Sequence, residues 1–361
     1  MRSPTTDSII LTGGDPAGIG PEIIIKSISA WERLADRPPI VYFSTADSNH
    51  QQAIADAATK IGYHARFVSR TTVLHDIASL ALVTGQLLIV PPEPLDSNTE
   101  SNIDSIVAGR PSVVTGRLAF EALEAAVTLA LRYGCRGLVT APLAKDWIAR
   151  SGVRTDFHGH TDYLAERCGV DSVLMLMHGN HFSVIPLTVH IALRDVSNRL
   201  RTTLDQPGVM DCLRRIARLP SYAPPHRWAL AALNPHAGES GLMGSEENDF
   251  LEEFVERLQK QNFLVDGPIP ADALFIEANR KKYRLMICCY HDQALIPFKA
   301  LEGNAGINCT IGLPFARTSP DHGTAFDIAG QDRADPTSMI ASILTIGSAD
   351  LREEDSNRYG H

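Results

Sequence analysis

Histidine carries the densest chemical signal in this sequence. His160 lies in FHGHTDYLAE, His190 in PLTVHIALRD, His236 in LNPHAGESG, His291 in ICCYHDQAL and His322 in SPDHGTAFD. Each sits in a polar stretch beside an apolar run. A lone histidine of this kind is more often a hydrogen-bonded core or surface group. Five in similar settings raise the odds that some share a site. Neutral imidazole suits a borderline divalent ion such as zinc, and three protein ligands leave a position open for substrate. The intervals are long, 46 residues from His190 to His236 and 55 more to His291. That is neither HExxH nor finger spacing, so spacing alone selects no set. His158, His178 and His181 stay open as competitors.

Two further groups of residues could bind an anion. Lys145 in TAPLAKD, Lys299 in IPFKA, Asn308 in GINCTIG and Arg317 in PFARTS offer cations and an amide. Arginine presents a fork to carboxylate or phosphate, whereas lysine acts as a point charge. The alternative for either lysine is plain surface solvation. Arg317 is harder to dismiss, because it follows the apolar run IGLPF. Asp272 in PIPADALF could be a base or simply an N-cap. The segment GDPAGIG at 14–20 could turn backbone N–H groups toward an anion, or be a tight strand-to-helix turn. It is neither GxGxxG nor a Walker loop, so it makes no nucleotide assignment.

The elements that must position these residues alternate along the chain. SIILTGG, PIVYFST, QLLIVPP and GLVTAPL read as strands, and the polar stretch 94–102 as a loop. PEIIIKSISAWERL reads as a helix with Pro21 near its first turn, and RLAFEALEAAVTLALRYG as a helix stopped by Gly134. Further on, VLMLMHG, FSVIPLTVHIAL and WALAALNP are strand candidates, and YRLMICCYHDQ is an apolar run ending in polar chemistry. CLRRIARL, DFLEEFVERLQKQ and PTSMIASILTIGSAD are helix candidates. The last ten residues read as a polar tail. Such alternation predicts an α/β layer architecture with a largely parallel sheet. Ligands of such sheets sit beyond the C-terminal strand ends, where several of the polar clusters fall.

A chain of 361 residues has two domains as its prior. The expected division is 1–150 plus 325–361 and 151–324. The 33 basic against 42 acidic residues give a net charge of -9, which opposes a broad nucleic-acid or anionic-membrane surface. Neither a secretory signal nor a membrane-spanning run is legible, so a cytoplasmic protein is expected. The six cysteines form no CxxC and are expected to be reduced, mostly buried thiols.

The runs GDPAGIGPEI, TAPLAKD, GHTDYLAE, HIALRD, NPHAGESG, GPIPADALF, YHDQALIPFK, GINCTIGLPF and RTSPDHGTAFDIAG occur in that order. Together they make the sequence resemble the 4-hydroxythreonine-4-phosphate dehydrogenases of vitamin B6 biosynthesis, from about Ile10 to Thr345. The resemblance implies the two-domain α/β fold of isocitrate and isopropylmalate dehydrogenases. It also implies a homodimer with a cleft whose active site lies near the dimer interface. It places a divalent metal on His190, His236 and His291: zinc, or alternatively magnesium, cobalt or manganese. It assigns substrate contacts to His160, Thr161, Lys299, Asn308 and Arg317, and an acid/base role to Asp272. The nicotinamide would be NAD, or alternatively NADP, with its contacts unassigned.

The implied reaction oxidises 4-phosphooxy-L-threonine to 2-amino-3-oxo-4-phosphooxybutanoate, which decarboxylates to 3-amino-2-oxopropyl phosphate. Relatives that oxidise 4-phospho-D-threonate or 4-phospho-D-erythronate share the same motifs. A branch acting on the cis-dihydrodiol of terephthalate fits less well, because GHT and LPFART read as phosphate-substrate features. A non-catalytic binder of phosphate esters on the same fold is the reading from a different class.

Overall fold

The computed structural model describes residues 7–93 and 106–348. The expected loop at 94–102 and the C-terminal tail lie outside the described residues. The described chain divides into two compact units, 7–169 with 313–348, and 170–312. The joins therefore fall at 169 and 313, against the expected 150 and 325. Helix His160–Cys168 belongs to the first unit through contacts that no composition shift marks. Its Tyr163 ring packs edge-on against Phe120 at 5.2 Å, and its Arg167 pairs with Glu124 at 2.5 Å.

Strands are numbered along the chain. The first unit holds β1 (Ile9–Thr12), β2 (Ile40–Phe43), β3 (His64–Phe67), β4 (Gln86–Val90), β5 (Gly137–Thr140) and β12 (Arg317–Pro320). All pair in parallel, in the order β3-β4-β2-β1-β5-β12. A parallel strand covered on both faces must be apolar throughout, not alternating. IILT, IVYF and QLLIV obey this and are buried at every position, while HARF at the sheet edge is mostly exposed. Helix Val113–Tyr133 starts at a reciprocal cap, Ser112 with Thr115, and ends at Gly134, whose φ is 74°. Such a cap stabilises a helix by about 1 kcal/mol. Helix Thr337–Gly347 lays Met339, Ile343 and Ile346 into the core formed by Ile9, Leu11, Ile23, Trp31 and Tyr42.

The second unit holds β6 (Leu174–His178), β7 (Ser183–Pro186), β8 (Trp228–Ala231), β9 (Val265–Ile269), β10 (Leu285–Cys288) and β11 (Ile307–Ile311), in the order β11-β6-β7-β10-β8-β9. β7, β10, β8 and β9 are parallel, whereas β6 runs antiparallel to both β7 and β11. The turn between β6 and β7 is tied by Glu302. Its buried carboxylate accepts the N–H groups of Asn180, His181 and Phe182, each at 3.0 Å. His178 hydrogen-bonds Tyr222, whose hydroxyl also meets Ser183 Oγ at 2.8 Å. These contacts give His178 and His181 structural roles.

Because β7, β10 and β8 lie side by side and point the same way, the segments leaving them emerge on one edge. Those segments carry His190, His291 and His236. All six cysteines are free thiols, four of them buried. Among the described residues, no helix is long and apolar enough to cross a membrane.

Candidate functional site

In the first unit the glycine-rich segment is a packed turn. Gly13, Asp15, Ala17, Gly18 and Ile19 all donate their N–H groups inward, to Phe43 O, Pro142 O, Asp15 Oδ1, Asp15 O and Thr324 O. Gly14 has φ 70°, and a Cβ there would lie 2.2 Å from Pro142 O. The alternative of an anion cradle therefore loses most of its donors. Asp15 ties the turn together: its Oδ1 accepts from Ala17 N at 3.0 Å and its Oδ2 from Thr115 Oγ1 at 3.4 Å. Burial lifts the Asp15 carboxyl to about 6, against the two hydrogen bonds that lower it, and the Asp146 carboxylate adds to the rise.

Arg317 opens β12 and is 2% exposed. Its Nη2 donates to Thr140 Oγ1 at the end of β5, at 2.6 Å. His160 and Thr161 begin helix His160–Cys168, after Gly159 at φ 146°. Burial, and then the Arg317 charge, hold His160 well below its ordinary 6.5. Its Nε2 is buried and has no hydrogen-bond partner among the described residues. A neutral imidazole, a hydroxyl, a guanidinium and a helix start thus come together in a setting that favours an anion. His322 bonds its own turn, Nδ1 to Gly323 O at 3.1 Å, and gains no further role.

In the second unit His190 follows β7 with φ 54°, and His291 starts helix His291–Glu302 after β10. The two rings stand 5.8 Å apart between centroids. They line a cavity of about 420 Å³ with Thr188, Tyr290, Asp292 and Ile296. His291 Nδ1 meets Asp292 Oδ1 at 2.7 Å. A carboxylate there fixes the tautomer that leaves Nε2 with a lone pair, the form of a general base. The strand expected over FSVIPLTVHIAL stops at Pro186, so His190 is carried on irregular chain.

His236 leaves the end of β8 in an unusual conformation. Residues 236–240 have φ values of 52°, 52°, 74°, 43° and 59° in succession, all left-handed. Each non-glycine residue there costs about 1–2 kcal/mol, so surrounding contacts must hold the turn. Glu247, 2% exposed, supplies them: Oε1 accepts from Leu233 N at 2.8 Å and Asn234 N at 2.9 Å, and Oε2 from Asn234 Nδ2 at 2.9 Å.

The expected metal centre does not assemble. Among the described residues, no group of three His, Cys, Asp or Glu side chains could hold a metal ion. His190 and His291 approach each other, but His236 stays exposed on its left-handed turn instead of completing a set. This corrects the expected zinc, or magnesium, cobalt or manganese, on His190, His236 and His291, and with it the expected metal dependence.

The other expected residues are spread over the second unit. Asp272 is exposed in the short helix Ala271–Leu274 beyond β9. Lys299 is exposed two turns along the helix that His291 begins. Asn308 lies on β11 opposite Met177, with its Oδ1 buried and unpartnered among the described residues. Sequence reasoning missed Thr140, Asp292, Asn234 and Glu247. Asp292 was signalled by its adjacency to His291 and Thr140 by its place at a strand end. Nothing in the sequence pointed to Glu247.

The chain is thus an α/β protein with imidazoles grouped at parallel strand ends in one unit and a buried arginine beside a neutral histidine in the other, each a setting suited to a small anionic ligand. The chain belongs to the family described as Pyridoxal phosphate biosynthetic protein PdxA, whose model matches residues 48–346. It is 38% identical over 347 residues to the 4-hydroxythreonine-4-phosphate dehydrogenase of Caulobacter vibrioides, which covers 94% of this chain and 96% of that one. The corresponding enzyme of Zymomonas mobilis is 35% identical over 342 residues, 93% of each chain. The crystal structure of 4-hydroxythreonine-4-phosphate dehydrogenase from Klebsiella pneumoniae matches with a TM-score of 0.73 at 33% identity, over 97% of this chain and 99% of that one.

Proposed function

We propose that this protein oxidises 4-phosphooxy-L-threonine with NAD, as a cytoplasmic homodimer, in vitamin B6 biosynthesis. The product, 2-amino-3-oxo-4-phosphooxybutanoate, is a β-keto acid and loses carbon dioxide to leave 3-amino-2-oxopropyl phosphate. The observation that carries this reading is the similarity to 4-hydroxythreonine-4-phosphate dehydrogenases over more than nine tenths of the chain.

The first unit supplies an anion site. Arg317 is held by Thr140, and His160 is kept neutral, so the pair can receive a phosphate dianion with Thr161 adding a hydroxyl donor. The second unit supplies proton handling. His291, oriented by Asp292, accepts the proton of the substrate hydroxyl. Bound NAD would supply the hydride acceptor for the carbon that bears this hydroxyl. Most amides of the glycine-rich turn are taken up inside it, which leaves few for a pyrophosphate. His190 and His236 offer hydrogen bonds at the same strand edge, and the exposed Asp272 can relay a proton from solvent to the carbon that loses the carboxylate. The unpartnered Asn308 Oδ1 can accept from the substrate ammonium, while Lys299 adds a positive charge. Leu193 and Ile296, each 68% exposed, line the His190–His291 cavity and support a partner surface there.

The test is NADH formation from 4-phosphooxy-L-threonine, with carbon dioxide measured in parallel. No NADH from this substrate defeats the proposal. Faster turnover of 4-phospho-D-threonate or 4-phospho-D-erythronate moves the activity to sugar-acid catabolism. Tight binding of each ester without turnover marks a non-catalytic binder.

A further inference from the structure

The left-handed turn at 236–240 needs an explanation that its own residues do not provide. It contains one glycine among five positive-φ positions. Glu247 is thirteen or fourteen residues downstream of the N–H groups it accepts, and among the described residues no lysine or arginine pairs with it. Its carboxylate also packs against the turn itself, where a Cβ on Gly238 would lie 2.8 Å from Oε2. Asn234 links this carboxylate to a second one, since its Nδ2 also donates to Glu246 Oε2 at 2.7 Å. Gly244 closes over the same amide, with no room for a side chain: a Cβ there would lie 2.4 Å from Asn234 Nδ2. A buried anion whose hydrogen bonds all come from the approach to one strained turn is an arrangement for holding that turn.

We infer that Glu247 is a positioning residue for His236, with Asn234 as its bridge. The carboxylate fixes the chain entering the turn, and the turn in its left-handed form presents His236 at the strand edge. This rests on the reading of His236 as a site residue.

The test is a double-mutant cycle on the full-length protein with NAD and phosphorylated substrate. In Glu247→Gln, an amide replaces Oε2 and opposes Asn234 Nδ2 donor to donor. Misplacing a working group by about 1 Å costs roughly 10²-fold, so kcat should fall by about that factor with KM changed less than about threefold. In a His236→Ala background, Glu247→Gln should have no further effect on kcat. Additive losses, or full activity in Glu247→Gln, overturn the inference. Asn234→Ala removes only the bridge and should give a smaller kcat loss with the circular dichroism spectrum unchanged. This variant decides the matter if Glu247→Gln fails to fold; wild-type kcat in it then counts against the latch. Amide hydrogen exchange at 233–242 separates the two levels of the claim. Faster exchange in Glu247→Gln, with His236→Ala fully active, keeps the latch and defeats the functional reading. Unchanged exchange defeats the latch whatever the substrate proves to be.

Discussion

Asp15→Asn should stabilise the protein at neutral pH and lose that advantage in acid. The wild-type carboxyl is lifted from 3.8 to about 6, chiefly by burial, and the side chain is fully shielded from solvent. A raised carboxyl favours the protonated folded form. Above about pH 6 the group is ionised in both states, and the folded chain bears the penalty. At about 1.4 kcal/mol per pH unit, that penalty is roughly 3 kcal/mol. Asparagine keeps an oxygen for the Ala17 N–H and sets its amide against Thr115 Oγ1, itself a possible acceptor. Subtracting about 1 kcal/mol for imperfect hydrogen bonding leaves a gain of about 2 kcal/mol. For a unit of about 200 residues this is a rise in Tm of about 4–8 °C. As pH falls toward the unfolded value, wild type takes up the proton and the difference closes. Thermal melts of both proteins at about pH 8 and about pH 4.5 test this linkage. An equal Tm difference at both, or none at about pH 8, refutes the claim that burial of an ionised Asp15 is the cause.

Arg317→Met should leave the fold intact and reduce kcat/KM by roughly 10²-fold, the worth of about 2–3 kcal/mol of charge-assisted bonding to phosphate. Steady-state NADH assays against substrate concentration check it. Asp292→Asn should lower kcat by about tenfold or more through loss of the His291 tautomer, with little effect on substrate affinity by calorimetry. Gly14→Ala meets Pro142 O at 2.2 Å in a left-handed conformation and should cost more than about 2 kcal/mol, seen in denaturant melts.

Much of the scaffold was legible because parallel strands must be apolar along their whole length. IVYF, QLLIV and GLVT stand out for that reason, and GLVT ends where Thr140 receives Arg317. The helix over RLAFEALEAAVTLALRYG was legible from its period and its terminal glycine. What eluded the sequence depended on pairings between distant residues. The antiparallel insertion of β6 between β7 and β11 leaves no local mark. The choice at GDPAGIG turned on where its amides point. The metal expectation failed at His236, because a left-handed turn set by Glu247 cannot be read from NPHAGESG. The neighbouring imidazoles His190 and His291 did come together, from residues 101 apart in sequence.

The first unit is discontinuous: β12 and helix Thr337–Gly347 return to it after the whole second unit has been traversed. On the ribosome, β1 to β5 emerge early without β12, the second partner of β5, or the helix that brings Met339, Ile343 and Ile346 to the core. The second unit, contiguous from 170 to 312, can close before the first has all its parts. A chain released at residue 312 therefore carries a finished second unit and an open apolar sheet in the first, the kind of exposed surface that chaperones bind. Premature termination in the last tenth of the chain should thus be felt at the opposite end of the sequence, in the unit that was made first.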